Sequence, residues 1–369
     1  GALFGDFFAK IVGFPTPIFL VMLVQSFSLY VLGYFGNYFI QKQKAMTNLL
    51  LSLFSVSLMV ILSLTLIWFW EDDFYARVIG QFIPSLMVAI VAIAYLYNRG
   101  KNFIKREYVW FSLSISLPLI FHQLGHQLLN QLDRIMIGRM LGTNEVALYS
   151  FGYNLGLIIQ VVLLSLNTTW TPWFFEERRK NNQNLSTVIS LYLQVGLFLT
   201  LGYLTIYPEV AFIMGGDAYL SSISFIPLII VSYFLTFLYT FPVNIQFFYE
   251  NTSLIPIGTI LAAIVNLILN IVMIPTFGIY GAAMATVLSY LSLLILHHII
   301  SFKRYRYQDV SIKQYSVLVV IVSSYAILTA WLANELLIRY AIGLVIVLVY
   351  FVRYKKNIQE LIRQKYKNK

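Results

Sequence analysis

The 369-residue chain contains no cysteine. Disulfides, thiolate nucleophiles and Cys-ligated zinc or iron–sulfur centres are therefore excluded, although the absence says little about compartment. Charge is also scarce: 11% of residues are charged, against about 25% in an ordinary soluble domain. Acidic residues are the scarcer sign, 15 Asp and Glu against 25 Lys and Arg, and no paired carboxylates suggest glycosyl-transfer chemistry. There is no G-x-x-x-x-G-K-S/T loop, so the chain does not hydrolyse ATP at a P-loop. His122-Gln123-Leu124-Gly125-His126 keeps the histidine spacing of H-E-x-x-H, but Gln123 replaces the glutamate that would act as general base in a zinc protease. These absences call for no cofactor and no metal, and they argue against an enzyme.

The chain is instead apolar. Hydrophobic residues make up 59% and aromatic residues 17%, with a mean hydropathy of +0.78, so most of its solvent is lipid. A hydrocarbon layer about 30 Å thick needs about 20 apolar helical residues to cross it. Eleven such runs are expected: 17–40, 49–70, 77–97, 110–132, 146–174, 187–207, 222–247, 254–274, 279–301, 314–333 and 336–352. None alternates with period two as a membrane β-barrel would, so the fold class is an all-α integral membrane protein.

Charge then orients the spans. One alternating set of loops, ending with the tail after 352, holds 20 of the 25 basic residues; the other set holds Lys10, Arg77, Arg134, Arg139 and Arg339. The positive-inside rule places the first set, and the C-terminus, in the cytoplasm. The net charge of +10 is thereby read as topology, not as a nucleic-acid footprint, and the basic tail is suited to anionic membrane lipid. Eleven spans ending inside put residue 1 outside. The chain opens Gly1-Ala2-Leu3 without an initiator Met, so a preceding piece with an odd number of spans is expected.

An offset of 205 residues lays 17–99 over 222–304, with Tyr34 on Tyr239, Gln41 on Gln246, Thr47 on Thr252 and Arg99 on Arg304. Transporters are commonly built from such repeated bundles around a central site. The expected organisation is 1–109 as the remainder of a first lobe, 110–313 as a second six-helix lobe, and 314–369 as two added helices with a basic tail.

Ionisable groups at membrane depth mark sites by default, and one span concentrates them. His122, His126, Asn130 and Asp133/Arg134 recur at helical spacing, with Gln123, Gln127 and Gln131 one position round. The resulting polar half-cylinder suits a wet cavity. His297-His298, near a helix end, are expected at the interface. Trp170 and Trp173 belong first to the aromatic belt, with sugar stacking as the alternative.

Two stretches carry a family resemblance. Leu132-Asp133-Arg134-Ile135-Met136-Ile137-Gly138-Arg139-Met140-Leu141-Gly142, followed by Glu145-Val146-Ala147-Leu148-Tyr149-Ser150, resembles the start of the second lobe in O-antigen and polysaccharide flippases of the MOP superfamily, with Ala147 where Gly is usual. Asn266-Leu267-Ile268-Leu269-Asn270 through Pro275, then Gly278-Ile279-Tyr280-Gly281-Ala282-Ala283-Met284-Ala285-Thr286, resembles a turn of the same family, and its small residues read first as close packing. Ala76-Arg77-Val78-Ile79-Gly80-Gln81 echoes a third family motif. The resemblance implies a two-lobed bundle with a parallel pseudo-repeat and a central cavity in the bacterial cytoplasmic membrane. It further implies translocation of a polyprenyl-diphosphate-linked oligosaccharide by alternating access, with polysaccharide polymerase and assembly proteins as partners and no nucleic acid. Arg134 and Arg139 are candidate diphosphate contacts, since guanidinium offers forked donors, with pairing to Asp133 or a place at the outer headgroups as the alternative for Arg134. His122, His126, Gln127 and Asn130 line the cavity, and Asp133 is an ion-coupling candidate. The alternatives are a multidrug or lipid-precursor exporter of the same superfamily and a membrane polysaccharide polymerase, for which the outer loops are short.

Overall fold

The computed structural model of the chain describes residues 6, 15–42, 44–70, 72–100, 105–110, 113, 131–180, 185–250 and 254–367. Among these there is no strand. The principal helices are α1 (Thr16–Gln41), α2 (Ala45–Phe69), α3 (Asp73–Gly100), α4 (131–140), α5 (Thr143–Arg179), α6 (Leu185–Gly215), α7 (Ile226–Phe248), α8 (Leu254–Tyr305), α9 (Ile312–Trp331) and α10 (Leu336–Lys367). Eight described helices are long and apolar enough to cross a membrane. The apolar part of α10, Leu336–Val352, is shorter.

These bounds follow the hydropathy runs closely, with local differences. Residues 222–225 are not the start of a span: Asp217–Ser224 forms a 3-10 turn, and α7 begins at Ile226, where Pro227 suits a first helical turn because its missing N–H would have no partner there. The second half of the 254–301 region starts after a true break. Gly278 adopts φ 59°, ψ −140°, a conformation open to glycine alone, three residues past Pro275, which cannot donate to the ladder. A Cβ on Gly281 would lie 2.1 Å from the Met273 carbonyl oxygen, so the chain folds back on itself only with glycine there. Span 110–132 falls mostly outside the described residues.

The chain divides into two compact units, Gly1–Ser116 and Leu117–Lys369. In the first, α1, α2 and α3 pack around Val31, Phe35, Phe39, Ala89 and Ala92. The α2–α3 approach is backbone-close, since a Cβ on Gly80 would sit 2.5 Å from Ser63 Cα, as small residues allow in membranes. In the second unit α7 is the hub, buried along most of its length and packed against α5, α6, α8 and α9. Gly152 and Gly156 on α5 admit Phe225 and Ile229 to the α5 backbone. Hydroxyls inside the helices, such as Thr200 and Ser289, donate to carbonyls one turn back, which keeps them satisfied where no water is at hand.

Candidate functional site

Asp133, on α4, is 4% exposed. Three helical segments, α5 and the two halves of α8, converge on its carboxylate. Asn270 Nδ2, from the first half of α8, donates to Oδ1 at 2.6 Å, while the hydroxyls of Tyr149 on α5 and Thr286 on the second half of α8 donate to Oδ2 at 3.0 and 2.8 Å. Asn266 Oδ1, one turn before Asn270, accepts from the same amide at 3.0 Å. The break at Gly278 makes this possible, because it brings Asn266, Asn270 and Thr286, from either side of the fold-back, to one carboxylate.

Among the described residues no cation pairs with Asp133. An ionised carboxylate buried without a countercharge is costly, and three donors offset only part of that cost. Asn270 Oδ1 is also buried without a hydrogen-bond partner. The site therefore gathers oxygen atoms, a carboxylate, two amide carbonyls and two hydroxyls, of which Asn270 Oδ1 has no hydrogen-bond partner. Oxygen-only sets suit hard cations. With one carboxylate, and no group of three His, Cys, Asp or Glu among the described residues, the set fits a monovalent ion better than a divalent one. A cavity of about 120 Å³ is lined by Asp133, Asn266, Thr286, Ser289, Thr236 and Gln160 among others, so the residue borders a space large enough for something small.

Arg134 turns away from its neighbour. Its guanidinium carbon stacks 4.7 Å from the Tyr153 ring centroid, its Nη1 donates to Gln131 Oε1 at 2.6 Å, and its buried Nε has no hydrogen-bond partner. It keeps unspent donor capacity. Arg139 is exposed. His122, His126, Gln127 and Asn130 lie outside the described residues.

Four side chains are enclosed by protein more fully than the sequence suggests. His297 and His298, near the end of α8, are both buried, and Gln246 on α7 supplies a partner 2.9 Å from His297 Nδ1. Trp170 is a core residue unavailable for sugar stacking, its ring stacked 4.3 Å from Tyr192 and packed on Trp173 and Phe174. Arg339, grouped with the outer-loop basic residues, is 1% exposed. It donates to the Thr205 and Leu332 carbonyls and pairs with Glu209. The partners of Asp133 were hidden in a stretch read as packing. The signal available was the pair of amides at i and i+4, Asn266 and Asn270, inside an otherwise apolar span.

The family of polysaccharide biosynthesis proteins matches residues 2–177. A protein of the Lsg locus of Haemophilus influenzae is 24% identical over 215 residues, 56% of this chain and 53% of its own length. A membrane protein of the same organism is 25% identical over 242 residues, 60% and 58% of the two chains. The chain thus spans a little over half the length of the curated relatives it matches. Among solved structures, the lipid II flippase MurJ in an inward closed conformation shares the fold at a TM-score of 0.64 and 14% identity, over 93% of this chain and 73% of that one. The family match over residues 2–177 and these relatives make the chain similar to polysaccharide biosynthesis proteins, and its all-helical membrane fold is shared with that of the flippase structure.

Proposed function

We propose that this chain works as a lipid-linked oligosaccharide flippase of the bacterial cytoplasmic membrane, moving a polyprenyl-diphosphate-linked sugar unit by alternating access and coupling the movement to a monovalent cation at Asp133. The observation that carries the coupling is the buried carboxylate held by α4, α5 and both halves of α8. A ligand shifts a conformational equilibrium only by its difference in affinity between states. A cation bound where four helical segments meet has that difference, since any rocking of these segments changes its oxygen shell. Arg134 receives the diphosphate through the donors that Gln131 leaves free, and His122, His126, Gln127, Asn130 and Arg139 are assigned to the polar path beside it. Residues 1–109 and 110–313 are the proposed lobes, with 314–369 appended and the C-terminus in the cytoplasm.

The test is complementation of a strain lacking its flippase with the intact gene product. Asp133→Asn and Arg134→Ala are expected to abolish surface-polysaccharide assembly at normal protein levels. Assembly that survives both changes would sink the assignment, and restored drug resistance without polysaccharide would favour an exporter.

A further inference from the structure

We propose that the groove between α6, α9 and α10 is a binding site for one anionic glycerophospholipid, its phosphate at Lys313 and one acyl chain along the groove. The site does not rest on the transport reading. It arises because α9 and α10 each pack on α6 and scarcely on each other among the described residues, so a trough opens between them.

The trough consists of two joined cavities that share Gln194, Val317 and Leu318. The smaller, about 210 Å³, is the polar end, with Ser190, Ser311 and Lys313 in its wall. The larger, about 590 Å³, is apolar, lined by Leu197, Leu201, Ile321, Leu328 and Val345 among others. Where the two meet, the Tyr350 hydroxyl donates to Gln194 Oε1 at 3.0 Å. The charged and hydroxyl side chains Lys313, Ser311 and Ser190 thus stand at one end of the trough, and mostly aliphatic ones line the rest.

Length narrows the occupant further. Lys313 to Leu328 spans about 22 Å at 1.5 Å per residue, which suits a single acyl chain from one leaflet. Contacts to α6 hold α9 and α10 in place on either side of the trough. The Thr205 and Tyr325 hydroxyls are 2.8 Å apart, Gly343 meets Thr205 so closely that a Cβ would fall 2.8 Å from its methyl group, and Arg339 ties α10 to the Thr205 carbonyl and to Glu209.

Charge selects the headgroup. Lys313 stands at the open end beside the first turn of α9, whose dipole also favours an anion. Past Tyr350 the sequence of α10 continues with Arg353, Lys355 and Lys356. This is the side that the charge bias assigns to the cytoplasm, where anionic lipids concentrate.

The experiment is native mass spectrometry of the intact protein after exchange into mixed vesicles of equal phosphatidylglycerol and phosphatidylcholine, with the Lys313→Glu, Val317→Trp and Val161→Trp variants. Val317 lines the trough and is half exposed, and Val161 on α5 is an exposed control, so both tryptophans are tolerated by the fold. The wild type and Val161→Trp are expected to retain phosphatidylglycerol in preference to phosphatidylcholine. Lys313→Glu should lower that preference roughly tenfold, and Val317→Trp should lose the retained lipid. Equal retention of the two lipids, no effect of Lys313→Glu, or replacement of the phospholipid by an added polyprenyl phosphate would each overturn the proposal.

Discussion

Replacing Asp133 with Asn removes one negative charge and almost no volume. In the protein the carboxylate accepts from Asn270, Tyr149 and Thr286. An amide in its place still accepts from the two hydroxyls, and its NH2 meets Asn270 once that side chain turns its partnerless Oδ1 inward. The fold should therefore persist, because each hydrogen bond to the carboxylate has a neutral replacement and only the Asn270 donation to Asn266 Oδ1 is given up. What the variant loses is the countercharge for a cation. If a monovalent cation binds the native site alone, a concentration one hundred times Kd adds about 2.7 kcal/mol to stability. In a chain of 369 residues that is a rise in melting temperature of about 3–4 °C. Thermal unfolding of the purified protein in sodium, potassium and choline chloride at equal ionic strength measures it directly. The wild type is expected to melt higher in one of the alkali cations than in choline, and Asp133→Asn to melt at one temperature in all three. A wild type indifferent to the cation, or a variant that keeps the difference, refutes the reasoning.

The remaining expectations are independent of one another. Arg339→Ala leaves Glu209 without its cation and removes one donor from the Thr205 carbonyl and should cost about 3–5 kcal/mol, read as a fall in melting temperature that a Glu209→Gln second change partly restores. Gly278→Ala places a Cβ at φ 59° and should cost roughly 1–3 kcal/mol; since this turn aligns Asn266, Asn270 and Thr286, the cation response should weaken as well. Gly156→Leu drives a side chain into Ile229, already 2.4 Å from a built Cβ, and should lower the yield of folded protein by overpacking the α5–α7 contact. With no native cysteine, Gly100→Cys gives a clean topology test, and a membrane-impermeant thiol reagent applied from outside is expected not to react with it.

The helices were legible because lipid imposes a length and an apolarity that each segment must satisfy by itself. The fold-back at Gly278 was legible too, as Pro275, Gly278 and Gly281 are local signals. Pairing across the bundle was not. Arg339 finds Glu209 across 130 residues, and Gln246 meets His297 across 51; hydropathy treats each polar residue alone, so it placed Arg339 and His297 near water. Asp133 stood out as an acid at membrane depth, but the residues that make it a site sit 137 and 153 positions later. Their shared face exists only after the chain has turned at Gly278.

The central claim is cation-coupled movement of a lipid-linked oligosaccharide. It is met most directly by reconstituting the intact gene product in vesicles, loading a polyprenyl-diphosphate-linked oligosaccharide on one leaflet, and following its arrival on the other with an impermeant sugar-binding probe. Translocation that an inward or outward cation gradient accelerates in the wild type, and that Asp133→Asn carries out without responding to the gradient or fails to carry out, is the expected result. Equal translocation with and without the gradient in both proteins, or none in the wild type, would contradict the account.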